Sequence, residues 1–420
     1  MQNQRLRSVF ILSACTAALA LAPVGADEIR FERIPDGYAN GVSDDGTVVV
    51  GERFGLEAFT WTLADGLTDI GGVSGISAGA DGRRIAGNTS SIFGDSAARY
   101  DAIAGTWSSF GGLGPTGCDS SLSSAYDLSS DGTKAVGLGW NGCSASAFLW
   151  TEDDGMTQLS QLGPFSSRAD TISGDGTVIG GWDEASNGGR RAAVWALDSS
   201  TGDWVESLVL TGTAGNAEGY GEVNGSNGDG SILVGMADGS SNATSGAFIL
   251  REDTGFELIG LMPSSQFPVV GGALDVTEDG STIIGFQREG AGGFSSFEAT
   301  YWTEETGLVP LKDHLNALGA GIPAGFTLAA AQSISDDGRV ICGWGYEDVI
   351  FFADAWIVVL PAEDTPCPAD FNGDGTVDGA DLTVLLVAWG TSDAAIDLDG
   401  NGTVDGADLT GFLSEWGDCG

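Results

Sequence analysis

The sequence has little positive charge and almost no histidine. It contains two lysines, Lys134 and Lys312, and acidic residues outnumber basic ones by 59 to 16, which gives a net charge of −43. Clustered Lys and Arg bind nucleic acid and anionic lipid, so this composition excludes nucleic acid as an expected partner. A single histidine, His314, cannot build a multi-histidine metal centre, and we interpret it as a surface residue in a short helical insertion. The acidity suits solubility in a salty, calcium-containing medium, or binding to a basic partner.

Long apolar runs are absent beyond the N-terminus. Arg5 and Arg7 precede an apolar stretch, and the small residues "VGA" that follow it form a cleavage site. Residues 1–26 are therefore predicted to be the signal peptide of a secreted, extracellular or cell-surface protein. "LSAC" also fits a lipoprotein processing box, which leaves lipidation of Cys15 open. No later run of 18 or more apolar residues exists, so the mature chain is not expected to span a membrane.

Cysteine is sparse, and five of the six cysteines remain after the predicted cleavage. In an oxidising compartment this number predicts two disulfides and one spare thiol. Cys367 and Cys419 bracket two acidic loops near the C-terminus, so we predict a bridge between them. Cys118 and Cys143 both lie in glycine-rich loops. Cys342, in the apolar strand "RVICGW", is expected to be a buried small residue.

Glycine is abundant instead, and it marks a repeat. The chain has 68 glycines, and a turn ending in Asp-Gly, followed by a short run of strand-forming residues and a further Gly, occurs seven times. The Asp-Gly dipeptides are 36, 50, 44, 54, 50 and 58 residues apart. Asp-Gly between apolar runs predicts a β-hairpin, because Gly adopts the positive φ that the turn requires. Each repeat continues into a third strand such as "SAFLW" and a fourth such as "GFELIGL".

Seven four-stranded repeats predict an all-β fold, a seven-bladed β-propeller over residues 27–360. The seventh repeat ends after its third strand at 354–360, and an orphan strand at 28–37 has the pattern of the missing fourth. An N-terminal strand that completes the last blade would close the ring and remove open sheet edges. A different β-repeat architecture is the alternative. In a propeller, the loops that hold Cys118 and Cys143 emerge on the same face, which makes a second disulfide between them sensible.

The repeats resemble the HAF repeats of bacterial extracellular proteins, which are named after a His-Ala-Phe triplet in the third strand. Here the triplet reads "EAF" at 57–59, "SAF" at 146–148 and "GAF" at 246–248, so the His is absent. The resemblance implies an exported β-propeller, and the family has no settled activity.

Two short loops concentrate acidic residues. "DFNGDGTVDGADL" begins at residue 370, and "DLDGNGTVDGADL" begins 27 residues later. Oxygen ligands at loop positions 1, 3, 5, 7, 9 and 12, with Gly at position 6, have the spacing of an EF-hand calcium loop. The carboxylates would repel one another strongly unless a divalent cation lay between them. We therefore predict two calcium ions. The first loop offers Asp370, Asn372, Asp374, the Thr376 carbonyl, Asp378 and Asp381, and the second offers Asp397, Asp399, Asn401, the Thr403 carbonyl, Asp405 and Asp408.

A helix is predicted after each loop, at 379–390 and 406–417. Each helix is expected to bury one apolar side, made of Leu382, Leu385 and Leu386 in the first and Leu409, Phe412 and Leu413 in the second. Two loop–helix halves, Asp at position 12 and the flanking cysteines make residues 367–420 resemble a GC-type dockerin domain. The resemblance implies a small α domain after a linker at 361–366, which folds on calcium and binds a cohesin or cell-surface partner. It carries the recognition positions onto Gly379, Ala380, Gly406 and Ala407.

No catalytic constellation stands out, and two functions are considered. The preferred one is a non-enzymatic, exported propeller that binds or displays a ligand and is anchored by a calcium-dependent dockerin-like module. The alternative is a secreted carbohydrate-active enzyme, a polysaccharide lyase or glycosidase, on the same scaffold. A carboxylate pair in a central pocket would favour the enzyme. Trp140, Trp182 and Trp344 each follow a second strand, where they form either a carbohydrate-binding rim or packing between blades.

Overall fold

The computed structural model describes twelve stretches of the chain. These are 29–55, 57–91, 94–114, 122–141, 144–209, 220–237, 244–264, 269–289, 296–347, 353–361, 368–372 and 376–418. They belong to two compact units, one spanning Ile29–Leu360 and the other containing Pro361–Gly420. Within these stretches, no helix is long and apolar enough to cross a bilayer.

The first unit consists almost entirely of short strands, because β-branched, aromatic and small residues alternate between glycine-rich turns. Its first half contains β1 (Arg30–Ile34), β2 (Gly37–Val42), β3 (Val49–Arg53), β4 (Ala58–Thr62), β5 (Gly66–Gly71), β6 (Ser74–Ala78), β7 (Arg84–Ser91), β8 (Gly94–Asp101), β9 (Thr106–Ser109), β10 (Ser123–Leu128), β11 (Lys134–Asn141), β12 (Ser144–Thr151) and β13 (Gly155–Gln158). Its second half contains β14 (Ser167–Ile172), β15 (Val178–Glu184), β16 (Arg190–Leu197), β17 (Trp204–Leu208), β18 (Gly221–Ser226), β19 (Ile232–Ala237), β20 (Thr244–Arg251), β21 (Gly255–Gly260), β22 (Val269–Val276), β23 (Ile283–Glu289), β24 (Ser296–Thr303), β25 (Gly307–Pro310), α1 (Leu311–Ala317), β26 (Phe326–Ile334), β27 (Val340–Glu347) and β28 (Ala353–Val359).

Within the described residues, the strands pair into seven four-stranded antiparallel sheets, numbered here 1 to 7 along the chain. Sheets 1 to 6 take their strands in chain order, as β2–β5, β6–β9, β10–β13, β14–β17, β18–β21 and β22–β25. Sheets 5 and 6 also share a short parallel contact, where Thr244 and Ser245 pair with Val269 and Val270. Sheet 7 has the order β26, β27, β28, β1.

The outer strand of sheet 7 comes from the other end of the unit. β1 pairs antiparallel with β28 from Arg30 opposite Val359 to Ile34 opposite Ala355. Arg33 adds an ion pair with Asp354, with 2.5 Å between the guanidinium nitrogen and Oδ2. The prediction that an N-terminal strand completes the last sheet is confirmed. β1 is shorter than the predicted strand at 28–37, because the chain turns after Ile34 and begins β2 at Gly37.

The Asp-Gly turn between the first two strands of each sheet has the expected conformation. The glycine φ lies between 67° and 76° in all seven turns, at Gly46, Gly82, Gly132, Gly176, Gly230, Gly280 and Gly338. The preceding Asp accepts a hydrogen bond from the backbone N–H two residues further on. In the first turn Thr47 N donates to Asp45 Oδ1 at 2.9 Å, and in the third Thr133 N donates to Asp131 Oδ1 at 2.9 Å. Each turn is therefore held by its own carboxylate.

Neighbouring turns are hydrogen-bonded to one another in a circle. The main-chain bonds run from Asp45 N to Ala80 O, Ala80 N to Ser130 O, Ser130 N to Gly174 O, Asp175 N to Gly228 O, Glu278 N to Asp336 O and Asp336 N to Asp44 O. The step between sheets 5 and 6 is made by Gly228 N, which donates to the Glu278 carboxylate at 2.6 Å. The circle surrounds a central cavity, which is lined by the first strands of all seven sheets.

The second unit contains two short helices and a two-stranded ribbon. Its elements are β29 (Thr376–Val377), α2 (Gly379–Val387), α3 (Gly406–Ser414) and β30 (Gly417–Asp418). β29 pairs with β30, and Val377 and Val404 occupy equivalent, fully buried positions in the two loops. The core also contains Leu385, Ile396 and Phe412.

The predicted helices are correct in place but too long. α2 ends at Val387 rather than 390, and α3 ends at Ser414 rather than 417. The predicted apolar sides are also too wide. Leu385 and Phe412 are buried, whereas Leu386 and Leu413 are each 54% exposed. A unit this small covers only a narrow stripe of each helix.

The contact between neighbouring turns predicts a difference between two glycine substitutions. Gly82 and Gly155 have φ of 67° and 68°, so alanine at either position should cost roughly 1–2 kcal/mol of unfolding free energy through backbone strain. A Cβ at Gly82 would also lie 2.3 Å from Val48 Cγ2, whereas nothing lies within 4 Å of one at Gly155. Gly82→Ala should therefore cost roughly 1–3 kcal/mol more than Gly155→Ala, measured by urea unfolding. Equal losses would show that the turn does not pack tightly against its neighbour.

Candidate functional site

The second acidic loop brings three of its predicted ligands together. One carboxylate oxygen from each of Asp397, Asp399 and Asp408 lies within 4.8 Å of the others. Asp397 Oδ2 accepts a hydrogen bond from Gly402 N at 2.7 Å, whereas Asp397 Oδ1 is buried and accepts none. A buried carboxylate oxygen without a donor is costly unless a cation neutralises it. The donor set is all oxygen, which is the type that calcium prefers.

The Asp at position 12 of each loop is fixed by backbone amides. Asp408 accepts hydrogen bonds from Leu398 N, Asp399 N and Asp405 N at 2.7, 3.2 and 2.7 Å. These bonds lower the pKa of Asp408, because donors stabilise the ionised form. Asp381 accepts equivalent bonds from Asn372 N and Asp378 N, each at 3.0 Å. Both side chains are fully buried and face back into their loops.

The predicted ligands at position 9 have a second role. Asp378 and Asp405 are the N-caps of α2 and α3, and their side chains accept hydrogen bonds from Ala380 N and Ala407 N at 2.6 and 2.8 Å. Together with Asp381 and Asp408 they form reciprocal capping boxes. Each loop is thus joined rigidly to the helix that follows it.

The remaining predicted ligands and recognition positions are distributed as follows. Asn401 accepts a hydrogen bond from Thr403 N at 3.0 Å, so both residues lie in the tight turn of the second loop. Asp370, Asn372 and Thr376 lie in the first loop, and each of them takes part in at least one further interaction. Asp374 lies outside the described residues. The positions at the start of the two helices, Gly379, Ala380, Gly406 and Ala407, are all exposed.

Both predicted disulfides fall outside the described residues, since Cys118, Cys143, Cys367 and Cys419 do. Cys342 is fully buried and carries a free thiol, as expected of a small core residue, and burial raises its pKa. His314 lies in α1 after β25, in the predicted helical insertion. It stacks on Tyr301 with 4.0 Å between ring centroids, and partial burial lowers its pKa.

The central cavity of the first unit contains functional groups that the sequence did not indicate. Each first strand has a β-bulge, and the extra residue at the bulge lines the cavity. These residues are Asn40, Ile76, Tyr126, Asp170, Asn224, Leu274 and Gln332. A bulge redirects a side chain, and its position depends on pairing rather than on residue type. The signal available in the sequence was an Asp in three of the first strands, at Asp127, Asp170 and Asp275.

Two cavity carboxylates connect neighbouring sheets. Asp127 accepts hydrogen bonds from the hydroxyls of Ser77 in sheet 2 and Thr171 in sheet 4, at 2.7 and 2.9 Å. Asp275 accepts from Ser333 Oγ and Ile334 N of sheet 7, each at 2.9 Å. Burial raises the pKa of Asp127, and it raises that of Asp275 to about 7. Their acceptors are occupied by hydroxyl and backbone donors, so both act as structural bridges.

A third cavity carboxylate, Asp170, belongs to a cluster of charged and aromatic residues. Its Oδ1 is ion-paired with Arg168 Nε, and Glu222 is ion-paired with both Arg168 and Arg190. The Arg190 guanidinium lies over the Trp182 ring at 4.4 Å from its centroid. Burial raises the pKa of Asp170 to about 7, in spite of the nearby Arg168.

Trp140, Trp182 and Trp344, which were expected to form either a carbohydrate-binding rim or packing between blades, have different surroundings. Trp182 is 5% exposed and lies beneath the arginines. Trp344 contacts Tyr38 of sheet 1 and Phe297 of sheet 6, with ring centroids 5.7 and 5.3 Å apart, so it packs between sheets. Trp140 is 37% exposed. They do not form one continuous rim.

A buried carboxyl pair in sheet 4 predicts that stability depends on pH. Burial raises the pKa of Glu206 from 4.5 to about 8, and the Asp183 carboxylate beside it adds to the shift. Between these values the folded chain binds more protons than the unfolded chain, so its stability falls as pH rises from about 4.5 to 8. Glu206→Gln removes the titrating carboxyl group. We expect the variant to lose less stability than the parent chain between pH 5 and 8.5, with a difference in unfolding free energy on the order of 1 kcal/mol. Glu305→Gln, at an exposed turn, is the control, and identical pH profiles for the two variants would contradict the assignment.

Comparison with known proteins yields structural similarity only. No protein-family model matches the chain, and no curated protein sequence matches it. A putative TolB from Agrobacterium tumefaciens is 16% identical with a TM-score of 0.40, over 55% of this chain and 87% of that one. An oligogalacturonate lyase from Vibrio parahaemolyticus is 12% identical with a TM-score of 0.49, over 81% and 93%. The β-propeller domain of the trilobed protease from Pyrococcus furiosus is 9% identical with a TM-score of 0.47, over 77% and 95%. The chain is mostly β by its own strands, and a β-propeller domain is among its structural neighbours.

Proposed function

We propose that this chain is an exported binding protein, in which a closed seven-bladed β-propeller is attached to a partner through a calcium-dependent, dockerin-like C-terminal module. The observation that carries the proposal is the group formed by Asp397, Asp399 and Asp408, with its buried, unsatisfied Asp397 oxygen. Calcium supplies the positive charge that these carboxylates lack and holds each loop against its helix. The repeated spacing of the first loop supports a second ion there.

An exposed apolar surface supports partner binding by the module. Val387 is 81% exposed and Leu386 is 54% exposed on α2, and Trp389 follows at 45%. Val384 and Val387 also line an open groove that extends to Ile396. Apolar side chains concentrated on so small a unit favour a protein–protein contact. A cohesin-like or cell-surface protein is the partner that the dockerin resemblance implies, with Gly379, Ala380, Gly406 and Ala407 as the recognition positions.

The propeller assignment rests on the organisation of the first unit. Seven four-stranded sheets, the pairing of β1 with β28 and the circle of hydrogen bonds between turns all support a closed ring of seven blades. The basic and apolar N-terminal segment supports export. A binding and display role is favoured over catalysis, because Asp127 and Asp275 serve as bridges between blades and Asp170 is paired with Arg168.

Calcium titration of the full mature chain tests the proposal. Isothermal calorimetry should give two ions per chain, because each loop supplies one complete oxygen set. Asp397→Asn should weaken one of the two sites at least tenfold and leave the other, since it removes the charge of the carboxylate whose buried oxygen has no donor in the second loop.

Asp393→Asn is the matched control. Asp393 lies in the same unit, is exposed and caps a turn by accepting a hydrogen bond from Ala395 N at 3.1 Å, which asparagine can also do. This variant should bind calcium like the parent chain. Absence of binding at millimolar calcium, or equal weakening in both variants, would refute the calcium module.

A further inference from the structure

We propose that the C-terminal unit binds its partner through the apolar side of α2 alone, and that the partner offers a segment in which apolar side chains are flanked by Lys or Arg. The inference rests on the proposed function, since it names the class of partner that the dockerin-like module binds. It is carried by the exposure of α2, by a difference between the two halves of the unit, and by the charge of the unit.

The apolar side chains of α2 lie open to solvent beside a groove. Val384, Leu386 and Val387 are 36%, 54% and 81% exposed, and Trp389 follows at 45%. We call these four residues the α2 surface. An open groove of about 520 Å³ begins at Val384 and Val387 and extends to Ile396. Pockets of about 300–1,000 Å³ are large enough to bury a ligand, so this groove can take several large apolar side chains.

The second half of the unit lacks this surface, although its sequence repeats the first. At the positions 27 residues after Val384 and Val387, α3 has Gly411 and Ser414. Leu413 keeps the exposure of its counterpart in α2, with 54% for each. No residue of α3 lines the groove. The unit therefore offers one apolar docking surface, and we expect one partner segment per chain.

The charge of the unit determines what surrounds the apolar centre of the partner. Arg339 is the last basic residue of the chain, so residues 361–420 contain no Lys, Arg or His. Each acidic loop has four aspartates, and one calcium ion supplies only two positive charges, so each loop stays negative when its ion is bound. Asp393, which lines the groove, is exposed. The surface thus offers negative charge without a cationic donor, and a complementary partner has to supply the cations.

The same argument disfavours two other occupants of the α2 surface. A second copy of this chain would bring an equally acidic unit against the first, and like charges across an interface cost binding free energy. An anionic lipid surface would be repelled for the same reason, because the whole chain has a net charge of −43. A basic protein segment is the occupant that satisfies both the apolar groove and the charge around it.

Two labelled helical peptides of equal length test the proposal on the full mature chain. One has leucines along one side and lysines beside them, and the other has glutamates in place of the lysines. Fluorescence anisotropy is measured with 1 mM calcium and about 0.15 M salt, which screens weak surface attraction. We expect one saturable site for the lysine peptide and none for the glutamate peptide.

A matched pair of variants locates the contact. Val387→Ser gives α2 the residue that α3 has at the equivalent position, and it should weaken the lysine peptide about tenfold, because an apolar side chain that the peptide buries is lost. Leu413→Ser removes an exposed apolar side chain from α3 and should leave the affinity unchanged. Calcium calorimetry on each variant establishes that the unit is folded. If Val387→Ser fails to bind calcium, Leu386→Ser, which matches Leu413→Ser in exposure, decides the result.

The other outcomes overturn the inference. Equal binding of a lysine peptide with the same composition in scrambled order would show attraction by charge alone. Equal weakening in Leu413→Ser would show that α2 is not the separate docking surface. A concentration-dependent dimer in sedimentation velocity that Val387→Ser abolishes would identify a second copy as the occupant. Two bound calcium ions without saturable binding of the lysine peptide would refute this inference alone, whereas an absence of calcium binding would refute the module itself.

Discussion

The architecture of the first unit depends on the hydrogen bond between an aspartate and the amide two residues after it in each Asp-Gly turn. This bond fixes the turn, and the fixed turn presents its main chain to the next one, as Asp45 does to Ala80 and Ala80 to Ser130. A contact between consecutive sheets is thereby repeated around the whole circle. Gly82 and Gly230 approach the side chains of the preceding sheet so closely that no Cβ fits without movement. The repeat of Asp-Gly in the sequence is therefore both a turn signal and an assembly signal.

The two units stabilise their buried carboxylates in different ways. In the first unit, Asp127 and Asp275 are surrounded by hydroxyls and amides from neighbouring sheets, so their burial strengthens the joints between those sheets. In the second unit, Asp408 is also held by amides, but Asp397 keeps a buried oxygen without a donor. A loop that leaves such an oxygen unsatisfied is poorly stabilised by the chain alone. We infer that calcium completes it, and that folding of this unit is coupled to the ion.

Local features were predictable from the sequence, and features that arise from packing were not. The Asp-Gly turns, the pairing of the N-terminal strand and the positions of α2 and α3 follow from short-range chemistry or from a repeated pattern. The bulge that places Asp170 at the cavity wall depends on strand pairing, and Asp170 looks like an ordinary strand residue until its neighbours are known. The exposure of Leu386 and Leu413 has a similar cause, because the width of a buried helix stripe depends on how much chain is available to cover it. Asp183 and Glu206 are distant in sequence and meet only through the register of sheet 4.

The pairing of β1 with β28 has a consequence for how the chain matures. Arg30 and Val359 are neighbours in the finished sheet, so β1, the first strand of the unit to be synthesised, waits for β28, the last one. Until then the edges of β1 are unpaired, and Arg33 lacks its partner Asp354. A chain truncated before β28 leaves β1 unpaired permanently. The joint thus distinguishes complete chains from truncated ones, because only a complete chain can bury the edge that proteases and aggregating strands recognise.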